Sequence, residues 1–180
     1  MNILIALQTD LQAIEAIEAI EAIFLAAFEK DENVLIANVA QQITSEARSS
    51  HSYPLVAEQE GAVVGFIAFT PLTIESDITG FLLAPLAVHP KHQRSGIGTS
   101  LIKTGKDLLT KQGVDFLFTY GDPDYYGRFG FNTTDAVKFI PPYPLEYDFG
   151  WIGMKLRQTH APTEPVSFGC VPALMNEALW

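Results

Sequence analysis

Apolar residues recur with a helical period in two stretches of the N-terminal third of the chain. From Leu11 to Phe28 an Ala-Ile-Glu triplet repeats three times, which keeps Ile17, Ile20 and Phe24 near one stripe while the glutamates spread over the other side. Ala and Glu are strong helix formers, so this stretch predicts a helix. Apolar residues at every fourth position predict a second helix from Asn33 to Ala47.

Strand-like runs lie before and after these helices. The run from Asn2 to Leu7 predicts a first strand, with Thr9 or Asp10 as the cap of the first helix. The segments YPLVAEQ and AVVGFIAFTPL, joined by the turn Glu60-Gly61, predict a β-hairpin. After a polar loop, TIESD, the nearly continuous apolar run ITGFLLAPLAVHP predicts a strand that is covered on both faces.

The second half of the chain contains one long helix and further strands. A helix is predicted from Gly98 to Gln112, where Gly113 ends it, and the segment VDFLFTY predicts the next strand. The residues GDP at 121–123 end that strand, DYYGRFGF predicts a turn or a short helix, and YDFGWIGMKL predicts a later strand. This order is typical of an α/β or α+β sandwich, in which we expect one domain over residues 1–158 and a tail over 159–180 of uncertain structure.

The charge balance excludes a general nucleic-acid-binding surface. The 180 residues include 11 Lys and Arg against 21 Asp and Glu, which gives a net charge of −10 and leaves no broad basic face for a phosphate backbone. Five cations nevertheless fall within one short span: Lys91, Arg94, Lys103, Lys106 and Lys111. They predict a local positive field, and the alternative for the three helical lysines is a solvated helix face.

Cysteine content and hydropathy indicate a compartment. The single cysteine, Cys170, rules out an internal disulfide and favours a cytoplasmic location. No basic region precedes the N-terminal apolar run, so we expect no signal peptide. No apolar run reaches the roughly 18 residues that a membrane span requires, and we expect a soluble protein with no membrane partner.

The segment HPKHQRSGIGTSLI, residues 89–102, has the composition of a phosphate-binding turn. It does not fit a Walker loop, because Ser100 and Asp107 stand where that loop needs a glycine and a hydroxyl around Gly105-Lys106. It does not fit a dinucleotide fingerprint, because Leu101 replaces the third glycine. What remains is a glycine turn that enters a helix, whose free amides and partial positive charge suit a diphosphate. The alternative is a glycine-assisted turn that binds nothing.

Two segments of the chain carry a family resemblance. LAPLAVHPKHQRSGIGTSLI resembles the central acetyl-CoA-binding motif of the GNAT acetyltransferase superfamily, with its Q/R-x-x-G-x-G/A signature between a strand and a helix. DYYGRFGF is similar to the Tyr-x-x-x-Gly-Phe element that follows the next strand in that family. The resemblance implies a mixed central sheet flanked by helices and splayed at an acetyl-CoA site.

The resemblance also implies roles for individual residues. Main-chain groups of Leu86, Ala87 and Val88 would bind the pantetheine arm, and a main-chain N–H near Leu86 or Ala87 would stabilise the oxyanion. Tyr126 would donate a proton to the departing thiolate, with Tyr125 as the alternative. The diphosphate of acetyl-CoA would be bound by the residues of the glycine turn: Gln93, Arg94, Ser95, Gly96, Ile97, Gly98 and Thr99.

Residues for the amine acceptor are less defined by the sequence. Glu75 and Asp77 precede the cofactor strand, while His51 and Tyr53 follow the second helix; each is a candidate to line an acceptor pocket, and the alternative for each is a solvated loop. Two further histidines, His89 and His92, lie beside the phosphate motif, and this position suits cofactor binding. We do not expect them to bind a metal, because no Asp/His spacing supports a metal site. Two tryptophans, Trp151 and Trp180, are candidates for the core or for a pocket wall.

These observations lead to one preferred function and one alternative. We expect an N-acetyltransferase that uses acetyl-CoA, needs no metal and transfers the acetyl group to a primary amine by direct attack in a ternary complex. The alternative is a catalytically inactive acyl-CoA-binding sensor or interaction module on the same fold. The sequence leaves open whether the protein forms a homodimer.

Overall fold

The protein folds as helices packed on a mixed β-sheet. A computed structural model describes residues 1–5, 11–30 and 32–180, with the side chains of the first helix described from residue 17 onward. The helices are α1 (Leu11–Ala27), α2 (Asn33–Ser50), α3 (Ile97–Lys111), α4 (Pro123–Tyr126) and α5 (Thr133–Ala136). The strands are β1 (Asn2–Ile5), β2 (Tyr53–Gln59), β3 (Ala62–Pro71), β4 (Thr73–Ile74), β5 (Gly80–Val88), β6 (Phe116–Tyr120), β7 (Phe139–Ile140), β8 (Trp151–Lys155) and β9 (Val166–Gly169). Short 3-10 turns lie at Pro90–His92, Gly127–Phe129, Asp148–Gly150, Pro172–Leu174 and Glu177–Leu179.

Two sheets organise these strands. Among the described residues, the larger sheet has six strands in the order β1-β2-β3-β5-β6-β8, and the smaller has three in the order β4-β9-β7. In the larger sheet β1 and β3 pair antiparallel with β2, β8 pairs antiparallel with β6, and β5 runs parallel to β6. The expectation of an α/β fold with a mixed sheet and flanking helices is therefore confirmed.

The chain divides into two compact units. The first unit comprises residues 1–69 and 85–105, and the second comprises residues 70–84 and 106–180. β5 crosses the division, because Gly80–Ala84 belong to the second unit and residues 85–88 to the first. Each unit has its own core, and the prediction of one domain over residues 1–158 stays a prediction.

The core of the first unit has helices on both faces of β3. The ring of Phe24 in α1 meets the ring of Phe66 edge-on, with 5.7 Å between the ring centroids. The ring of Phe69 lies against Gly105 of α3. Because residues 66 and 69 point to opposite faces of a strand, α1 and α3 cover opposite faces. Both phenylalanines of β3 are completely buried.

The predicted stripe of α1 is confirmed at two of its three positions. Ile20 and Phe24 are fully buried, Ile17 is half-buried, and Glu18 and Glu21 are exposed. The Glu21 carboxylate accepts a hydrogen bond from the side chain of Gln41 in α2, at 2.9 Å. The triplet repeat therefore forms the predicted helix, and the hydrogen bond between Glu21 and Gln41 joins it to α2.

Most predicted element boundaries agree with the structure. α2 continues to Ser50, three residues beyond the prediction, and ends where His51 adopts a left-handed conformation with φ of 55°. The hairpin turn is confirmed, with positive φ at both Glu60 and Gly61. The predicted first strand and its cap fall partly on residues 6–10, which lie outside the described residues. The segment TIESD was expected to be a loop, but its first two residues form β4 because they pair with β9.

The core of the second unit is aromatic. Phe118 of β6 stacks on Trp151 of β8, with 5.4 Å between ring centroids, and Trp151 also stacks on Phe168 of β9. The indole N–H of Trp151 donates to the carbonyl of Phe139, and that of Trp180 donates to the carbonyl of Leu174. Both tryptophans are therefore buried core residues. The C-terminal tail takes part in this core through Phe168 and Trp180.

None of the helices in the described ranges is both long and apolar enough to cross a membrane.

The contact between Gly105 and Phe69 yields a test of the first unit. A methyl group at position 105 would lie 2.0 Å from the Phe69 ring, so Gly105→Ala requires the ring or the helix to move. We expect a loss of about 1–3 kcal/mol in the free energy of unfolding, measured by urea denaturation. Helix propensity alone predicts the opposite sign, a gain of about 1 kcal/mol. The control is Thr104→Ala, an exposed neighbour in α3 that we expect to be neutral or slightly stabilising. A Gly105→Ala protein at least as stable as wild type would contradict the packing.

Candidate active site

The first part of the site is the end of β5. In the first unit the N–H of His89 donates to the carbonyl of Val64 in β3, and the carbonyl oxygen of Ala87 lies 3.4 Å from where a Cβ of Gly65 would stand. Main-chain groups of successive strand residues point in opposite directions. The main chain of Ala87 therefore points toward β3, and that of Leu86 points away from it.

β5 changes the direction of its main-chain groups along its length. Leu83, also odd-numbered, accepts a hydrogen bond at 3.0 Å from the hydroxyl of Thr119 in β6, the neighbour on the other side. The odd-numbered residues thus point to β6 at Leu83 and to β3 at Ala87. Pro85 stands between them, and proline in a sheet is confined to edges and irregularities because it has no N–H to donate.

The loop after β5 is held by its own polar side chains. The amide of Gln93 donates to the carbonyl of Val88 at 3.1 Å, and the hydroxyl of Ser95 donates to the carbonyl of His92. Nδ1 of His89 accepts from the main-chain N–H of Lys91. The side chains of Gln93 and Ser95 therefore stabilise the turn itself. The family resemblance had implied that these two residues bind the cofactor.

The loop ends in a cradle of main-chain N–H groups at the start of α3. Arg94 and Gly96 both have positive φ, of 59° and 87°. Within the described part of the chain, none of the N–H groups of residues 94–99 donates a hydrogen bond to a protein acceptor. Successive amides around left-handed residues form a concavity that binds anions, and the helix N-terminus adds partial positive charge.

The residues of the cradle fit a diphosphate group. A side chain at Gly96 would meet no atom within 4 Å, so the loop is open there and the positive φ is what favours glycine. The guanidinium of Arg94 is exposed, and no ion pair involves it within the described ranges. A non-glycine residue in the left-handed region costs energy and often marks a functional site.

The side chain of Ile97 anchors the cradle. It is 2% exposed, and a Cβ at Gly65 would lie 2.9 Å from its Cγ2 atom. Gly65 therefore lets α3 approach β3 closely, which the sequence analysis did not identify. Ile97 contributes only its main-chain N–H to the cradle, and Gly98 and Thr99 follow it half-buried in the first turn of α3.

The second unit holds Tyr126 at the end of α4. Asp122 caps this helix by accepting from the N–H of Asp124 at 2.8 Å, and the N–H of Tyr126 donates to the carbonyl of Asp122. A Cβ at Gly121 would lie 2.7 Å from the Tyr126 ring. The segment at 121–123 thus supplies a cap and a glycine platform that fix the ring. Sequence reasoning took that segment only as the end of a strand and missed this role.

The environment of Tyr126 keeps its phenol protonated. Burial raises the pKa of Tyr126 well above its ordinary value of about 10, and hydrogen bonding with Thr119 opposes this only in part. The ring packs edge-on against Tyr125 and Phe131. The pKa of Tyr125 is also raised by burial, but there the positive charge of Arg128 acts in the opposite direction.

Comparison with known proteins identifies the family. A family model described as an acetyltransferase (GNAT) domain matches residues 50–133. The Escherichia coli (strain K12) protein named uncharacterized N-acetyltransferase YjhQ is 33% identical over 126 residues, which cover 67% of this chain and 70% of that protein. The chain belongs to the GNAT acetyltransferase family. The predicted resemblance is therefore confirmed.

Solved structures agree with this assignment. The GNAT family N-acetyltransferase YhbS from Escherichia coli, in complex with CoA, has a TM-score of 0.73 at 25% identity and covers 94% of this chain and 91% of its own. A GNAT family acetyltransferase from Brucella melitensis, in complex with acetyl-CoA, has a TM-score of 0.66 at 23% identity and covers 92% and 94% of the two chains. The second likeness bears on the fold alone.

The candidate acceptor residues are dispersed over both units of this GNAT protein. Glu75 and Asp77 are exposed in the second unit, and His51 is exposed in the first, where it ends α2. Tyr53 is half-buried at the start of β2. Across residues 1–5, 11–30 and 32–180, no group of three His, Cys, Asp or Glu side chains is arranged to hold a metal ion.

The raised pKa of Tyr126 gives a test that needs no substrate. We expect the tyrosinate absorbance of the folded protein, followed upward from pH 8, to include a late component well above the ordinary value of about 10, to which Tyr126 contributes. Tyr126→Phe should reduce that late component, because the neutral phenol is the form that burial favours. The control is Tyr143→Phe, which removes a phenol from another part of the second unit. An unchanged late component in Tyr126→Phe would contradict the burial of this hydroxyl.

Proposed function

We propose that this protein is an acetyl-CoA-dependent N-acetyltransferase that transfers the acetyl group to a primary amine by direct attack in a ternary complex. The observation that carries the proposal is the cradle of N–H groups at residues 94–99, which lack protein acceptors in the described part of the chain. The similarity to structures that contain CoA or acetyl-CoA supports the same donor.

The single cysteine suits the proposed cytoplasmic location. Burial raises the pKa of Cys170 to about 12, which keeps this thiol protonated and unreactive.

Donor binding rests on main-chain groups. In the proposal the amides of residues 94–99 bind the diphosphate, and the exposed guanidinium of Arg94 adds a charge-assisted contact. The end of β5, at Leu86 to Val88, presents main-chain groups to the pantetheine arm. Because the main chain of Ala87 points toward β3, the N–H of Leu86 is the better candidate to stabilise the oxyanion.

The reaction follows from the chemistry of a thioester and an amine. The neutral amine nitrogen attacks the carbonyl carbon, a C–N bond forms, and negative charge develops on the carbonyl oxygen. The C–S bond then breaks, CoA leaves as a thiolate that takes up one proton, and the attacking nitrogen loses one proton to a base. The products are the N-acetylated amine and free CoA.

Tyr126 is proposed as the hydrogen-bond donor to the departing sulfur. A phenol whose pKa is raised by burial remains protonated throughout the physiological range, so it always has a hydrogen to donate. A thiol has an ordinary pKa of about 8.5, lower than that of the phenol. Tyr126 therefore stabilises the developing thiolate chiefly by hydrogen bonding, and CoA takes its proton finally from solvent or from the base that received the proton of the attacking nitrogen.

The cradle is tested with two matched glycine substitutions. Gly96 and Gly61 have φ of 87° and 81°, and a Cβ at either position would meet no atom within 4 Å. Alanine at either site therefore strains the backbone to a similar degree, roughly 1–2 kcal/mol. We expect Gly96→Ala to weaken acetyl-CoA binding about tenfold in calorimetry, while Gly61→Ala in the hairpin turn leaves it unchanged. Equal affinities in the two variants would rule the cradle out.

The role of Tyr126 is tested by separating binding from turnover. We expect Tyr126→Phe to lower kcat by about 10- to 100-fold across a panel of primary amines and to leave the Kd of acetyl-CoA unchanged. Tyr125→Phe is the matched variant, and a larger loss there would transfer the role to Tyr125. Saturable acetyl-CoA binding with no CoA release from the wild-type protein would instead favour a sensor without catalysis.

A further inference from the structure

The second unit displays an exposed pair of aromatic rings beside the C-terminal end of β6. Tyr147 and Phe149 are 53% and 62% exposed, and their ring centroids lie 5.6 Å apart. Contiguous exposed apolar surface often marks a binding site. Trp151, two residues farther along the chain, is buried in the core, so the exposure of Phe149 reflects the shape of this turn.

The turn that carries the pair is firmly held. The N–H of Tyr147 donates to the phenol oxygen of Tyr120 at 2.8 Å, and the N–H of Gly150 donates to the carbonyl of Tyr147 at 2.9 Å. The ring of Tyr120 lies directly against Gly150, where a Cβ would stand 2.8 Å from it. The main chain is therefore fixed while the two rings extend into solvent.

The same turn is linked to the position of Tyr126. The N–H of Gly121 donates to the carbonyl of Gly150 at 3.0 Å, and Gly121 is the glycine against which the Tyr126 ring packs. One residue thus contacts both the proposed hydrogen-bond donor and the turn with the exposed rings. An acceptor amine that reacts beside Tyr126 would have the rest of its structure within reach of this turn.

Two carboxylates accompany the rings. Glu146 and Asp148 are exposed, and among the described residues the ion pairs involve Asp135 and Asp115 but neither of these two. The carboxylate of Glu146 lies close enough in the chain to raise the pKa of the neighbouring Tyr147 phenol, through hydrogen bonding and its negative charge. Rings flanked by unpaired carboxylates attract a cation with an apolar body, through cation–π contacts and charge.

We infer that Glu146, Tyr147, Asp148 and Phe149 form an acceptor-recognition turn, and that the acceptor is a primary amine carrying an apolar ring and a second positive charge. The inference rests on the proposed acetyl transfer and adds the class of substrate to it. One amine is acetylated, and the second remains an ammonium ion near the two carboxylates. The net charge of −10 favours the approach of such a dication.

Two probes of similar shape, which differ in the sign of the charge at one end, test this turn. Both 1,4-bis(aminomethyl)benzene and 4-(aminomethyl)benzoate offer a benzylic primary amine, but the first carries an ammonium group and the second a carboxylate at the far end. We expect the wild-type kcat/KM to favour the diamine by about tenfold or more. In Glu146→Gln/Asp148→Asn the preference should fall to about threefold or less, through KM and not through kcat.

Further variants separate a local effect from general ones. Phe149→Ala should raise the KM of both probes about two- to fivefold, because the ring contacts the part that they share. Glu164→Gln makes the same charge change at another exposed carboxylate of the second unit, and Val137→Ala trims another exposed apolar side chain. We expect both controls to retain the wild-type preference. Equal kcat/KM for the two probes in wild type, or a full preference in the double variant, would overturn the inference.

Binding without turnover keeps the inference distinct from the proposed function. Amide chemical shifts of Tyr147 and Phe149 should change on titration with the diamine, with an affinity at least about fivefold higher than for the benzoate. If wild type binds the diamine in this way but releases no CoA, the acetyl-transfer proposal fails and the recognition turn stands. If it acetylates amines but shows no such shifts, the turn is excluded and acetyl transfer stands.

Discussion

The structure depends on how closely α3 approaches β3. That approach is possible because glycine occupies both contact points: Gly65 where Ile97 reaches the sheet, and Gly105 where Phe69 reaches the helix. A methyl group at either point would enter space already filled by a side chain. The two contacts fix the axis of α3 and hold the first turn of the helix over the end of β5. The position of the N–H cradle is thus a consequence of core packing.

Glycine is also important in the second unit, where aromatic rings lie against main chain that has no Cβ. Gly121 supports Tyr126, Gly150 supports Tyr120, and a Cβ at Gly153 would lie 2.7 Å from Phe118. Each ring is placed by a backbone that could not accept a side chain. The ring of Tyr126 is therefore positioned by packing before any substrate arrives, which is the preorganisation that its proposed role as a hydrogen-bond donor requires.

Charge is distributed unevenly between the loop before α3 and the turn around Glu146 and Asp148. The chain carries a net charge of −10, yet the loop before α3 contributes Lys91 and Arg94 beside free amides, which suits a polyanionic donor. The turn around Glu146 and Asp148 has the opposite character and suits a cationic acceptor. In the proposed reaction, local fields of opposite sign would allow one acidic protein to attract both an anionic donor and a cationic acceptor.

The sequence by itself determined the long helices, the hairpin and the glycine turn before α3. Periodicity predicted α1, α2 and α3, turn residues predicted the hairpin, and the GIG turn predicted the cradle, because each of these signals is local. Gly113 ends α3 with φ of 79°, as its position indicated. The family resemblance was carried by contiguous segments for the same reason.

Only the tertiary structure decided what depends on contacts distant in sequence. The roles of Gly65, Gly121 and Gly150 follow from side chains that contact them from other parts of the chain. No local sequence pattern predicts which side chain will contact which glycine. β4 forms because Thr73 meets Gly169, nearly a hundred residues later, and Trp180 became a core residue through the same docking of the tail. Local propensity sets where a helix or strand begins, but burial and pairing set which faces meet, because their energy comes from partners that the local sequence does not contain.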